Sequence, residues 1–256
     1  MGYHHSAFYR FLLVSCLLIS IVAFQAAPSF LAEQKRYARV RTAINEKEEL
    51  LKNRLKKHRL DINNFHALLV GYKEEGILEV YVKAGSSTKY TLYNSYPICA
   101  RSGTLGPKRK QGDRQVPEGL YYIDRYNPAS SYYLSLGINY PNLADKRKSP
   151  AANLGGDIFI HGACATLGCL PMTDNYIKEI YLLSILAKNN GQAKVPVYLF
   201  PFKMTSKNLS EHLAKGYANQ KAFWQNLKTA YDAFQQNKKE LSFSVDDRGD
   251  YRLDIN

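Results

Sequence analysis

The feature that most restricts the fold is a series of short segments with strand composition in the middle of the chain. Runs rich in Val, Ile, Leu, Tyr and Thr alternate there with Gly, Pro, Ser and Asp. These runs lie at residues 66–72, 77–83, 90–100, 119–125, 132–138 and 157–161, with one more buried run at 195–200. Short strands at this spacing are typical of a sheet sandwich or a partly open barrel. We therefore predict a mainly β fold with flanking helices, of the α+β class.

Helical periodicity flanks the strand-rich region on both sides. Residues 33–60 are dense in charge and carry apolar residues at helical spacings, which predicts a basic amphipathic helix. Its polar face is either solvated or in contact with a polyanion. A second helix is predicted to start near Thr173 or Asp174, because both residue types favour N-cap positions. Residues 206–238 are also predicted to be helical.

The first 27 residues have the composition of an export signal. Arg10 precedes an apolar run at 11–24, and the small residues Ala26 and Ala27 follow it. This run is shorter than the roughly 20 residues that a membrane span requires. We predict a signal peptide at 1–27, with an uncleaved anchor that contacts the inner membrane as the alternative. The protein is therefore expected to be exported, to the periplasm or cell envelope.

Composition narrows the class of partner. Hydrophobic residues make up 45% of the chain and aromatic residues 12%, so a packed core is expected rather than disorder. The net charge of +13 suits an anionic partner. Nucleic-acid binding would rest on this charge alone, and the export signal argues against it. An acidic polymer of the cell envelope is the better fit.

The cysteine count points to a free thiol. Of the four cysteines, Cys16 lies in the apolar N-terminal run, which leaves Cys99, Cys164 and Cys169. An odd number in an exported protein implies one free thiol, or a pair plus one. Cys99 and Cys164 are the candidate disulfide, although Cys164 could instead be a buried thiol or a second reactive group. A zinc site with His161 is a further alternative, but its H-x2-C-x4-C spacing is not a common structural zinc pattern.

One stretch carries the candidate chemistry. A buried strand ends at His161, a loop of small residues follows, and Cys169 comes eight residues later, just before a helix. A neighbouring imidazolium lowers the pKa of a thiol and raises its reactive fraction. Backbone N–H groups at Gly168 and Cys169 are candidates for an oxyanion hole. Gly162 and Gly168 permit tight backbone geometry, and Thr166 either hydrogen-bonds within the loop or has a purely structural role in the turn.

A long exposed loop is predicted at residues 103–119 from its Gly and Pro content. It holds three basic residues at 108–110. Loops of this length are often functional. The alternative is that this segment is a solvent-exposed hairpin loop without a functional role.

These motifs resemble a known family. His161-Gly162 followed by Thr166-Leu167-Gly168-Cys169 is similar to the active-site signature of the L,D-transpeptidase (YkuD) catalytic domain. The resemblance is strongest to the YafK-like branch. Further similar stretches are Ser102-Gly103, Gly106-Pro107-Lys108, Gly112-Asp113, Pro117-Glu118-Gly119, Tyr140-Pro141-Asn142, Met172-Thr173-Asp174 and Glu179-Ile180-Tyr181. Together they cover about residues 66–202.

The resemblance implies a fold and a mechanism. The fold would be a YkuD-type β-sandwich or partly open barrel, with an N-terminal helix and a C-terminal helical extension. Cys169 would be the nucleophile and His161 the general base and acid. By the same analogy a backbone carbonyl would orient the imidazole, and that of Gly162 is the candidate. Neither a metal nor another cofactor is implied.

Two departures from the family pattern concern substrate recognition. Many members have His just before the Gly-Cys pair, where this chain has Leu167. Many also have Arg two residues after the cysteine, where this chain has Pro171. Recognition is therefore expected to differ from that of crosslinking members. The YafK-like branch also implies bond cleavage as an alternative, including the link between an envelope lipoprotein and peptidoglycan.

We expect four regions and one main function. The regions are the signal or anchor at 1–27, a basic helical segment at 28–65, an L,D-transpeptidase catalytic domain at 66–202, and a C-terminal helical extension with a terminal hairpin at 203–256. The expected function is thiol acyl transfer on peptidoglycan stem peptides. One alternative is a hydrolase only. Another is a non-catalytic peptidoglycan-binding module that uses the basic helix and residues 108–110.

Overall fold

The computed structural model describes residues 29–254, so the predicted signal or anchor at 1–27 lies outside the described residues. The helices are α1 Phe30–Gln34, α2 Ala38–Lys57, α3 Leu143–Lys148, α4 Asp174–Asn189, α5 Ser206–His212 and α6 Lys221–Asn237. A π-helical turn and a 3-10 turn, Leu213–Tyr217 and Ala218–Gln220, join α5 to α6. No helix within residues 29–254 has the length and apolar character that crossing a membrane requires.

Within the described residues, ten strands form two sheets. The strands are β1 Phe65–Tyr72, β2 Ile77–Ala84, β3 Thr91–Pro97, β4 Gly119–Asn127, β5 Ser135–Ile138, β6 Phe159–His161, β7 Leu170–Pro171, β8 Pro196–Phe200, β9 Phe243–Val245 and β10 Tyr251–Leu253. The main sheet has the order β3-β2-β1-β8-β4-β5-β6-β7, and β9 pairs with β10 as a terminal hairpin. The β1–β8 and β6–β7 pairs are parallel, and the other pairs are antiparallel. The main sheet is a curled half-barrel, which confirms the predicted α+β fold class.

Apolar residues on both faces of the main sheet are buried, in two separate clusters. Helices α2 and α4 contribute Leu51, Leu55 and Ile180 to the larger cluster. The second cluster contains Trp224 and Phe234 of α6, packed against strand residues on the other face. Burial on both faces explains the nearly continuous apolar runs of β1 and β8, since neither face of these central strands meets water.

Local sequence explains where α4 begins. The Thr173 side chain accepts a hydrogen bond from the Tyr176 backbone N–H at 3.3 Å, so it is the N-cap of the helix. The predicted start is thereby confirmed. The predicted helix at 206–238 is interrupted, because Gly216 has a φ of 107° between α5 and α6. The predicted strand at 132–138 begins only at Ser135, since Tyr133 has a left-handed φ of 70°.

The predicted loop at residues 103–119 contains no helix or strand before β4 begins at Gly119, but only part of it is exposed. Lys108 is only 5% exposed, and Val116 and Glu118 are also buried. The Lys108 ammonium group donates hydrogen bonds to the Asp113 carboxylate at 2.6 Å and to the Lys110 carbonyl oxygen at 2.9 Å. These hydrogen bonds join residues of the loop to one another. The Trp224 indole N–H of α6 connects the loop to the domain by donating to the Glu118 carboxylate at 2.8 Å.

Candidate active site

Cys169 and His161 are brought together at one edge of the main sheet. His161 is the last residue of β6, and Cys169 immediately precedes β7, the parallel neighbour of that strand. The Phe159 backbone N–H donates to Cys169 Sγ at 3.4 Å, which aligns the cysteine with the first residue of β6. Side chains two residues apart in a strand lie on the same face. Cys169 and His161 accordingly line one cavity of about 620 Å³.

The His161 imidazole is buried and held in one orientation. Its side chain is 2% exposed, and Nδ1 donates to the Gly162 carbonyl oxygen at 2.5 Å. A carbonyl oxygen can only accept, so this contact places the proton on Nδ1 and leaves Nε2 as the basic nitrogen. Burial lowers the pKa of His161, and the hydrogen bond to Gly162 opposes that shift. The imidazole is therefore neutral at pH 7.

Cys169 is a half-buried free thiol. Its Sγ lies 3.5 Å from the Asp157 carbonyl oxygen, to which the S–H donates. Burial raises the pKa of Cys169, the Phe159 N–H lowers it, the Asp157 charge raises it and the Lys108 charge lowers it. The net shift is upward, which favours the protonated thiol at neutral pH. The sequence had predicted an imidazolium that lowers the pKa of the thiol.

Thr166 ties the end of the loop to the cysteine. Its Oγ1 accepts from the backbone N–H groups of Cys169 at 2.8 Å and Gly168 at 3.3 Å, and it donates to the Cys169 carbonyl oxygen at 2.9 Å. The two N–H groups that the sequence nominated for an oxyanion hole are therefore bound to Thr166. An oxyanion would have to replace the Thr166 hydroxyl to reach them.

Gly162 lies where no side chain fits. A Cβ atom at this position would come within 2.8 Å of the Tyr132 carbonyl oxygen and 2.6 Å of Asp174 Oδ1. The Asp174 carboxylate is held in that place by the Ala163 backbone N–H, which donates to Oδ1 at 2.9 Å. The tight fit sets the direction of the Gly162 carbonyl group and, through it, the His161 ring.

A disulfide links Cys99 and Cys164, with the two Cα atoms 5.5 Å apart. It attaches the loop between His161 and Cys169 to the segment after β3. Cys169 is left as the free cysteine of residues 29–254. The zinc alternative loses two of its ligands to this bond. Among the described residues, no group of three or more His, Cys, Asp and Glu side chains is placed to hold a metal ion.

The structure adds Tyr132 and Arg39 to the site. The Tyr132 ring packs against the His161 ring with centroids 4.6 Å apart, and 47% of the residue is exposed. This exposure shows that Tyr132 is not part of the hydrophobic core. The Arg39 side chain of α2 donates hydrogen bonds to the carbonyl oxygens of Ser130 and Tyr133, which lie on either side of Tyr132 in the chain. No sequence signal links Arg39 to a turn 91 residues later.

The two departures from the family pattern lie in different environments. Leu167 is 77% exposed at the rim of the His161 cavity. Pro171 is buried in β7, paired with His161 across the parallel strands. Neither side chain can donate a hydrogen bond to a substrate. Any charged recognition of substrate near Cys169 must come from other elements.

Comparison with known proteins identifies the class. The family model for the L,D-transpeptidase catalytic domain, YkuD, matches residues 67–197. The chain therefore belongs to this family, as the sequence resemblance predicted. Family membership gives it an L,D-transpeptidase-like role in modifying peptidoglycan, and enzymes of this family act in the cell envelope.

One relative from Escherichia coli supports this assignment. The chain is 42% identical over 176 residues to the protein named "Putative L,D-transpeptidase YafK" of Escherichia coli K12, covering 68% of each chain. Among solved structures, the helical cell shape determining protein Pgp2 of Campylobacter jejuni aligns at 21% identity with a TM-score of 0.44, over 71% of this chain and 73% of that one. Bd1075 of Bdellovibrio bacteriovorus aligns at 18% identity with a TM-score of 0.38, over 75% and 77%.

Proposed function

We propose that this protein is an exported thiol acyltransferase in which Cys169 attacks an amide carbonyl of a peptidoglycan stem peptide. His161 is the general base and acid. The main observation behind the proposal is that two residues line one cavity: His161, the last residue of β6, and Cys169, which immediately precedes the parallel strand β7. This arrangement supports nucleophilic catalysis because thiol and imidazole face the same space.

The first half-reaction starts from the neutral pair. As Sγ attacks the carbonyl carbon, His161 Nε2 takes the thiol proton, and negative charge develops on the carbonyl oxygen. The N–H groups of Gly168 and Cys169 receive that oxygen after the Thr166 hydroxyl is displaced. The C–N bond then breaks, the imidazolium returns its proton to the leaving amine, and a thioester on Cys169 results.

The second half-reaction decides the product. An amine acceptor attacks the thioester carbonyl, His161 takes its proton, and the thiol returns with a new amide bond. Water attacking in the same position gives a carboxylic acid instead. Hydrolysis, including release of an envelope lipoprotein or trimming of a peptide, is thus the alternative outcome of the same site.

The proposed partner is an acidic envelope polymer. The net charge of +13 favours its approach. The non-catalytic binding-module alternative is weakened at Lys108, because its ammonium group is buried and bound to Asp113 at 2.6 Å. It would have to rely on the exposed basic residues of α2.

Purified sacculi provide the test. We expect the wild-type protein to change the muropeptide profile and Cys169→Ala to leave it unchanged, with the same thermal melting temperature in both proteins. New crosslinked muropeptides would identify a transferase, and only shortened or released peptides would identify a hydrolase. Turnover by Cys169→Ala at the wild-type rate would contradict the proposed function.

A further inference from the structure

The segment that carries the nucleophile, residues 162–169, is called the catalytic loop below, and hydrogen bonds attach it weakly to the domain. The Ala163 backbone N–H donates to Asp174 Oδ1 at 2.9 Å, and the hydrogen bonds of Thr166 all stay within the loop. Among the residues that the structure describes, no hydrogen bond joins residues 164–168 to any part of the chain outside the loop. Three of these five residues are also exposed.

The Cys99–Cys164 disulfide supplies the attachment that hydrogen bonds do not. Its two Cα atoms are 5.5 Å apart, although the residues are separated by 65 positions in the chain. The Cys99 backbone N–H also donates to the Pro171 carbonyl oxygen at 3.0 Å. Cys99 therefore holds the chain on both sides of Cys169, through its sulfur before the nucleophile and through its backbone after it.

Cys99 is itself fixed by the centre of the main sheet. The preceding residue, Ile98, donates its backbone N–H to the Gly76 carbonyl oxygen at 2.8 Å, in the turn between β1 and β2. The disulfide thus attaches the catalytic loop to backbone that the longest strand pair of the sheet holds. A flexible segment loses much of its conformational freedom when its middle is fixed in this way.

The proposed acyl transfer requires such an attachment. The Gly168 and Cys169 N–H groups are bound to Thr166 at 3.3 and 2.8 Å, so an oxyanion must displace the Thr166 hydroxyl to reach them. The catalytic loop must therefore rearrange locally while Sγ stays within reach of the His161 imidazole. A loop anchored at Cys164 can do so, whereas a released loop also takes positions in which thiol and imidazole are apart.

We infer that the Cys99–Cys164 disulfide is a positioning element for Cys169, so that only the disulfide-bonded form of the protein turns over substrate at the full rate. The inference rests on the proposed function, because the disulfide acts through the proposed nucleophile. Cys99 and Cys164 are positioning residues, since they act on the reaction only through the placement of Cys169. Cys164 is exposed, so a soluble reductant can reach the bond.

Reduction of the wild-type protein provides the first test. Tris(2-carboxyethyl)phosphine breaks the S–S bond: the phosphine gives two electrons and becomes its oxide, and water supplies the oxygen atom and the two thiol protons. A phosphine is chosen because a thiol reagent would attack the thioester on Cys169. The exposed thiols are counted by alkylation and mass spectrometry after the assay.

The expected response is opposite to that of a thiol enzyme that lacks such a bond. A reductant keeps a nucleophilic thiol in its active state, so activity would ordinarily be retained or increased. Here reduction should lower kcat on soluble muropeptides by about tenfold or more, because Cys169 loses its fixed position. KM should change by less than about threefold, since most residues that line the His161 cavity lie outside the catalytic loop.

Variants test the same bond without a reductant. Cys99→Ser/Cys164→Ser should have the low kcat of the reduced wild type and should not respond further to the phosphine. Cys16→Ser is the matched control, since it replaces a cysteine that lies outside the described residues and apart from the disulfide. Its kcat should equal that of the wild type before reduction and should fall with it afterwards.

Trp224 separates a local effect from unfolding. It is the single tryptophan of the chain, and it is fully buried in the second cluster, which contains no residue of the catalytic loop. Its fluorescence maximum should stay constant on reduction, and in the double serine variant, while kcat falls. Solvent exposure of the indole would shift the maximum to longer wavelength and would reveal general unfolding.

The outcomes distinguish the positioning role from the proposed function. An unchanged kcat in the fully reduced wild type would overturn the inference, and so would a loss of kcat that only follows the shift in Trp224 fluorescence. Cys169→Ala stays inactive in both cases if the proposed function is correct. Turnover by oxidised Cys169→Ala would instead overturn the proposed function.

Discussion

The centre of the main sheet and its β6–β7 edge are built in different ways. At the centre, β1 and β2 pair over eight residues each in a continuous antiparallel register, and β8 joins β1 in parallel. At the edge, β6 has three residues and β7 has two. The backbone ladder holds the centre, whereas side chains and a disulfide hold the edge. Stability and activity should therefore respond to different substitutions.

The largest contrast is expected between a site residue and a core residue. His161→Gln should lower kcat/KM by about a thousandfold, because proton transfer by a positioned imidazole is lost. Leu69→Ala, which empties a fully buried position of β1, should instead cost about 2–5 kcal/mol of unfolding free energy. Steady-state kinetics and denaturant melts of both variants measure the two effects. A His161→Gln protein that keeps full activity would contradict the role of His161 in proton transfer.

The next largest effect is expected at Gly162. Gly162→Ala should lower kcat/KM on the order of a hundredfold, because the new Cβ displaces the carbonyl group that orients His161. Gly156→Ala is the matched control, since a Cβ there meets no atom within 4 Å. Equal kcat/KM values for Gly162→Ala and Gly156→Ala would show that the sheet edge accommodates a Cβ atom at Gly162 despite the close contacts there.

The pH dependence should reveal the neutral resting pair. Because the pKa of His161 is lowered, kcat/KM should stay high down to a pH below the ordinary histidine value and then fall as the ring is protonated. Because the pKa of Cys169 is raised, kcat/KM should fall on the alkaline side only above the ordinary thiol value, where the pair has lost its proton.

Thiol alkylation checks the same assignment independently. In a Cys16→Ser background, iodoacetamide should modify Cys169 slowly at pH 7 and faster as the pH rises through the raised pKa of the thiol. Rapid modification at pH 6 would indicate a standing thiolate and contradict the neutral pair.

The smallest effect is expected at Arg39, outside the family match. Arg39→Ala should lower kcat/KM by about fivefold, because the turn that carries Tyr132 over His161 loses its hydrogen bonds to α2. Arg39→Lys should recover part of the loss. Arg36→Ala, which removes an exposed arginine that precedes α2, is the control and should behave like the wild type. Equal changes in kcat/KM for Arg36→Ala and Arg39→Ala would show that Arg39 does not support the active site.

Much of the fold was predictable where a local pattern decides it. The start of α4 follows from Thr173, because an N-cap side chain and its helix are neighbours in the chain. Prediction failed where a partner distant in the chain decides the burial of a residue. Residues 103–119 were predicted from composition to be an exposed loop, yet Lys108 is buried, with its ammonium group 5.9 Å from the centre of the Tyr140 ring.

By itself, the sequence determined the family and the α+β class, and it predicted the pairing of a loop cysteine with the histidine that ends the preceding strand. His161, Gly162, Thr166 and Cys169 lie within nine residues, so their relation is encoded locally. The tertiary structure alone decided the burial of His161 and Cys169 and the contacts that connect Tyr132 and Arg39 to the site. Burial and contacts between residues far apart in the chain set these properties, and no local spacing records them.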